Sequence, residues 1–116
     1  VIAQIASPYL HLYMDIGNLV VRGCDIKAEI AAVSGHLVGI HAKDARLGAP
    51  RRVPFGEGDV PFAEVFAQLA DQGFHGPIMI EMWNDDREDS PQICRRARAW
   101  LEQQMPAGWR AAAPSD

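Results

Sequence analysis

The 116-residue sequence has no excess of positive charge: 11 Lys and Arg stand against 15 Asp and Glu, a net charge of -4. A protein that grips nucleic-acid backbones needs a basic face, and a polybasic membrane anchor needs clustered cations. Neither partner is expected. No apolar run reaches the roughly 18–20 residues of a helical membrane span. The opening VIAQIASPYL carries no basic n-region and no cleavage pattern, so no secretory leader is visible. Cysteine is scarce. Cys24 and Cys94 lie far apart without CxxC spacing, which excludes a zinc ribbon and a disulfide framework. Two free thiols suit a reduced, cytoplasmic protein. No P-loop occurs, and the glycines of FGEG do not have the GxGxxG spacing of a dinucleotide loop. The chain opens at Val1, inside a helical stretch, and is expected to be cut at its N-terminus.

Three short apolar runs alternate with three amphipathic segments. Leu10–Met14 reads as a strand that reaches Asp15, followed by Gly17 and Asn18 as turn residues. Asp25 can cap a helix from Ile26 to Val33, with Gly35 ending it. His36–Ala42 is a nearly continuous apolar run, as in a strand buried on both faces. Pro61 starts a helix to about Gln72, with Phe62, Val65, Phe66 and Leu69 on one face. Pro77–Met82 is a third strand. An acidic loop, 84–90, leads to a last helix capped by Ser90, opened by Pro91 and ending near Met105, with Trp100 towards the core. Strands alternating with helices predict an α/β fold with parallel pairing. Residues 1–106 are expected to form it, and 107–116 a flexible tail.

Asp15, His41 and Glu81 each fall near the C-terminal end of one of these strands. In parallel α/β folds that end binds ligands. Asp, His and Glu together suit Mn, Mg, Co or Zn as divalent ions, rather than copper or an iron–sulfur cluster. Each residue also has a plain structural explanation. Asp15 could cap a turn, His41 could be a hydrogen-bonded core histidine, and Glu81 could join a buried ion pair. Glu81 is the most telling, because a carboxylate inside PIMIEM is costly to bury alone. His11 and His36 sit at strand starts and read as structural.

The segment from Lys43 to Val60 exceeds the usual connection of about 4–6 residues, and such loops are often functional. It carries Lys43, Arg46, Arg51 and Arg52. Beside a metal these cations point to an anionic substrate such as a sugar phosphate, though a solvated basic loop has the same composition. Trp83 follows Glu81 by two residues and could wall the pocket or simply pack.

LYMDIGN (12–18), GIHAKD (39–44), VPFGEGDVPF (53–62) and GPIMIEMW (76–83) carry a resemblance over Ser7 to about Met105. The chain resembles the C-terminal part of L-ribulose-5-phosphate (L-xylulose-5-phosphate) 3-epimerases, among the xylose isomerase-like (β/α)8 barrels. The resemblance implies strands six to eight of a TIM barrel. It implies a divalent metal held by Asp15, His41 and Glu81, with a fourth ligand on a strand before Val1. Glu81 is then one of two proton-transferring glutamates that epimerise C3 through an enediolate. Asn18, Lys43 and Arg46 fall where relatives contact substrate; Arg51 and Arg52 are phosphate candidates by charge and position, and Trp83 by proximity. The resemblance also implies that the chain alone lacks one ligand and one acid/base group. Alternatives on the same barrel are a sugar isomerase or an inosose dehydratase. A different class is a non-catalytic half-barrel that pairs its open sheet edges with a partner or a second copy as a homo-oligomer.

Overall fold

Asp15 ends one element and starts the next. It is the last residue of strand β1 (Leu12–Asp15), and its carboxylate accepts the Asn18 N–H at 2.9 Å to cap helix α2 (Ile16–Val21). The turn expected at Gly17 and Asn18 is therefore a helix. A strand that ends in a capping residue needs no separate turn. The computed structural model describes residues 2–85 and 89–109. A short helix, α1 (Ile2–Ile5), precedes β1. The strand starts at Leu12 rather than Leu10, because Leu10 N–H donates to Ser7 and the His11 ring bonds the Pro8 carbonyl, which makes a turn there.

Helix α3 (Ile26–Ala32) is capped by Asp25, as the sequence predicts, through the Ala28 N–H at 3.0 Å. Then follow β2 (Leu37–Ala42), α4 (Phe62–Asp71), β3 (Ile78–Ile80) and α5 (Ser90–Gln104). Ser90 lies inside α5 instead of capping it. Asp89 holds the cap position without a side-chain bond, and the Ser90 hydroxyl accepts from Asn84 Nδ2. The strands form one parallel sheet in the order β1-β2-β3. No helix among the described residues is long and apolar enough to cross a membrane.

The core lies between one face of this sheet and the helices. Ile40 and Ala42 of β2 are fully buried there with Ile16, Ile30, Phe62, Val65, Phe66 and Leu69. The spacing of Phe62, Val65, Phe66 and Leu69 is one helical stripe, and all four face that core. Side chains alternate along a strand, so the neighbours of Ile40 and Ala42 point the other way. That second face holds Tyr13, Gly39, His41 and Met79, paired across the ladder, with Tyr13 and Met79 about half exposed.

The segment after β2 is ordered by Asp44, a residue with no role in the sequence-based expectations. Asp44 is 2% exposed, and its carboxylate accepts N–H bonds from Ala45, Gly56 and Gly58 at 2.9 Å each, and from Val60 at 3.4 Å. A side chain at Gly58 would overlap Asp44 Oδ1, and one at Gly56 would press on the Trp100 ring. Trp100 packs its ring against Phe55 and edge-on against Phe62. At the end of the chain Trp109 stacks near Phe66 and donates to the Phe74 carbonyl at 3.2 Å, so the expected tail begins with a packed turn. Residues 110–116 of that tail, and 86–88 of the acidic loop, lie outside the described residues.

Candidate metal centre

The ladder brings the three strand-end residues to one place. Asp15 is the direct partner of His41 across β1 and β2. His41 in turn pairs with Met79 on β3, and Glu81 is two residues on, hence on the same face. Glu81 N–H donates to the Ala42 carbonyl at 2.9 Å, which carries the parallel pattern one residue past β3. Neighbouring strands are about 4.8 Å apart, so side chains on one face at the ends of adjacent strands are close enough to meet. One ligand atom from each of Asp15, His41 and Glu81 lies within 4.8 Å of the others.

The cluster is half-buried. Side-chain exposure is 19% for Asp15, 32% for His41 and 30% for Glu81, enough to admit a small molecule while shielding the charges from bulk water. His41 Nδ1 lies 3.0 Å from Glu81 Oε2. The Tyr13 ring meets the His41 ring edge-on, with centroids 4.8 Å apart. Tyr13 lies across Gly39, where any β-carbon would overlap its ring, so this glycine gives the tyrosine its place beside the histidine. Asp15 is held at both oxygens: Oδ1 by the Asn18 N–H, and Oδ2 by Asn18 Nδ2 at 2.6 Å and Lys43 Nζ at 2.9 Å. The donor set fits a hard or borderline divalent ion. It offers two carboxylates and one imidazole, converging from rigid strand ends.

The basic residues of the long segment do not act as one patch. Lys43 is buried, and its ammonium sits among Asp15, Asn18 and Glu81, 6.0 Å from the centre of the Trp83 ring. Arg46 donates from Nε to the Glu57 carbonyl at 2.7 Å and again from Nη2, which braces the segment across its own width. Arg52 has φ of 62°, an unusual conformation for a side-chain-bearing residue, and pairs with Asp85 at 2.7 Å in an exposed ion pair. Arg51 is exposed. Trp83, Arg52, Asp85, Phe55, Arg96 and Trp100 line a cleft of about 400 Å³. Trp83 thus lines that cleft and also lies near the Lys43 ammonium.

The convergence of Asp15, His41 and Glu81 is legible from their strand-end positions. Asn18 is a candidate from the sequence too, but its two hydrogen bonds to Asp15 depend on α2 starting without a turn. Asp44, which orders the segment after β2, and Gly17, where a β-carbon would crowd Lys43, are not recognisable in these roles from the sequence. The signals present are an acidic residue inside a basic run for Asp44, and for Gly17 a glycine close after a strand-end aspartate.

Comparison with known proteins gives one consistent picture. The model of the xylose isomerase-like TIM barrel family matches residues 1–104. L-ribulose-5-phosphate 3-epimerase UlaE of Escherichia coli is 41% identical over 99 residues, 85% of this chain and 35% of that protein. The UlaE of Salmonella paratyphi A matches equally, at 41% over the same share. The chain thus spans about a third of the length of these curated relatives. Among solved structures, an L-ribulose 3-epimerase superposes with a TM-score of 0.73 at 18% identity, over 90% of this chain and 39% of that one. D-psicose 3-epimerase of Clostridium cellulolyticum H10, solved with D-tagatose, gives 0.67 at 21%, over 89% and 39%. At such identities the superpositions speak for the fold alone.

Proposed function

The chain belongs to the xylose isomerase-like TIM barrel family, and on that premise we propose that it supplies three metal ligands and one proton-transferring group to a sugar-phosphate 3-epimerase. The substrate is a ketopentose phosphate, L-ribulose 5-phosphate or L-xylulose 5-phosphate. One observation carries this reading: Asp15, His41 and Glu81 converge within 4.8 Å at the C-terminal ends of adjacent parallel strands. The 41% identity to L-ribulose-5-phosphate 3-epimerases across these strands supports the choice of sugar.

Asp15, His41 and Glu81 would hold a divalent ion. When bound, such an ion supplies positive charge that stabilises negative charge developing on the substrate oxygens. The chain's own residues do the rest. Glu81 moves the proton on one face of C3, taking it from one epimer in one direction and returning it to re-form that epimer in the other, and its 30% exposure leaves the carboxylate open to a substrate. His41 fixes one Glu81 oxygen through its 3.0 Å contact. Inversion needs a second group on the opposite face of the carbon. In this reading it is a glutamate on a strand outside the three described, which is also the fourth metal ligand. Trp83 lies near the Lys43 ammonium and lines the cleft with Arg52, where a phosphate would extend, and Arg51 is the exposed cation next in sequence. Arg46 serves the substrate indirectly, by holding the Glu57 turn in place.

The test is direct. The chain is expressed with any coding sequence that precedes Val1, stripped by chelation, and assayed for interconversion of the two pentulose phosphates with and without Mn²⁺ or Mg²⁺. Metal-dependent turnover is the expected result. Turnover of an inosose or of an aldose–ketose pair instead would move the assignment to another reaction on the same barrel. A second reading has its own observation. β1 and β3 each pair on one side in this sheet, which leaves edges that another strand could cover. If no additional strands are encoded, a non-catalytic half-barrel that binds a partner or a second copy takes the place of the enzyme.

A further inference from the structure

Lys43 is a charged side chain to which proton transfer gives no task. It directly follows β2, two residues beyond His41, and its side chain is 6% exposed. Lysine is almost never this buried without partners. Its ammonium has three N–H directions and meets three oxygens: Asn18 Oδ1 at 2.8 Å, Asp15 Oδ2 at 2.9 Å and Glu81 Oε1 at 3.6 Å. The first two are hydrogen-bond distances. The third is an ion-pair contact without a hydrogen bond. Two of the three partners belong to the ligand cluster.

The backbone is shaped to admit this lysine. A β-carbon at Gly17 would sit 2.7 Å from the Lys43 carbonyl oxygen and 2.9 Å from Lys43 Cε. Glycine in the first turn of α2 is therefore what lets the lysine stem run beneath the helix to reach Asp15. Asn18, one residue on, bonds both the ammonium and the carboxylate. A glycine, an asparagine and a buried cation all serve one arrangement.

An ammonium and a divalent ion draw on the same carboxylates, and they repel each other at short range. Resting on the metal-centre reading above, we infer that Lys43 is an internal counter-cation of the site. Without metal its single charge offsets one of the two negative charges of Asp15 and Glu81, which would otherwise face each other across a half-buried cluster. With metal it yields its long contact to Glu81 and keeps its two short bonds, to Asp15 and Asn18. It thereby orients Asp15 and holds metal affinity below what the ligands alone would give. Lys43 is a positioning residue in this scheme, since both of its hydrogen bonds go to protein oxygens that hold the ligand cluster in place. That differs from the substrate contact expected for it from the sequence.

The experiment uses the chain with any coding sequence that precedes Val1, and Mn²⁺ alone as the probe. Lys43→Met keeps the stem beneath Gly17 and removes the charge. After chelation, Mn²⁺ affinity is read by calorimetry and melting is followed with and without Mn²⁺. The variant should bind Mn²⁺ about tenfold or more tightly than wild type, from loss of repulsion. Its metal-free form should melt lower, so that Mn²⁺ raises its Tm by more than in wild type. A folded variant with unchanged or weaker Mn²⁺ binding overturns the inference and leaves the metal centre standing. Wild type that binds none of Mn²⁺, Mg²⁺, Co²⁺ and Zn²⁺ overturns both. Turnover is not read, so an unexpected substrate does not affect the outcome. If the metal-free variant does not fold, wild-type crystal structures decide. With Mn²⁺, Lys43 Nζ should move off Glu81 Oε1 and stay on Asn18 Oδ1; an ammonium that stays on Glu81 overturns the inference.

Discussion

Gly58 and Asp44 fit each other so closely that neither position has room for change. The Asp44 carboxylate gathers the Gly56, Gly58 and Val60 N–H groups, and any β-carbon at Gly58 would overlap Asp44 Oδ1 and crowd the Ala45 carbonyl. Gly58→Ala should therefore destabilise the protein by roughly 2–3 kcal/mol, the usual cost of overpacking a rigid site. Asp44→Ala should cost about 3 kcal/mol, because buried N–H groups lose their acceptor. Chemical denaturation of both variants checks this. Midpoints within error of wild type would mean that the segment is not anchored here.

Glu81 is expected to be more important to turnover than to the fold. Its carboxylate is 30% exposed and sits past the end of β3. Glu81→Gln should lower kcat by about 10²-fold or more, the usual worth of a general acid or base. It should also weaken Mn²⁺ binding, because one charged ligand becomes neutral. Steady-state kinetics on a pentulose phosphate, paired with a melting curve close to wild type, separates this from unfolding. Undiminished turnover would remove Glu81 from the reaction.

Gly39 allows Tyr13 to lie against His41, whose ring it meets edge-on at 4.8 Å. Gly39→Val would push the tyrosine off and free the imidazole to rotate. Mn²⁺ affinity should fall about 10-fold, as when a support of a metal ligand is lost. Tyr13→Phe keeps the ring and should bind Mn²⁺ as wild type does. Equal losses in both variants would show that the ring's packing is not what matters.

The Arg52–Asp85 pair is exposed on both sides, 66% and 53%. Arg52→Ala should change stability by no more than about 0.5 kcal/mol, as for most surface ion pairs. On a pentulose phosphate it should raise KM several-fold, with a smaller change for the unphosphorylated sugar. The same small change on both substrates would take the phosphate away from Arg52.

The strands and their ends are readable because apolar runs of strand length reach residues of metal-ligating type at Asp15, His41 and Glu81. That pattern survives folding unchanged, since alternation along parallel strands puts all three on one face. Two other features depend on contacts distant in sequence. Asp44 looks solvated in a basic segment until the chain returns at Gly56 and Gly58 to bond it. Lys43 looks like part of a cationic loop until Gly17 is seen to make room for it. Gly17 itself reads as a turn residue, because a sequence does not reveal that a strand-end aspartate caps the next helix without an intervening turn. The resemblance makes Arg46 a substrate contact; its bond to the Glu57 carbonyl is a further feature that only the folded segment reveals.

Hydrogen exchange at C3 tests the central claim most directly. The chain, with any coding sequence that precedes Val1, is stripped of metal and incubated with L-ribulose 5-phosphate in D₂O, with and without Mn²⁺. Nuclear magnetic resonance then follows the C3 hydrogen. Deuterium is expected at C3 of both epimers with Mn²⁺, almost none after chelation, and a large loss in Glu81→Gln. Interconversion without deuterium uptake, or uptake that chelation does not affect, would contradict the proposed proton transfer at this metal centre.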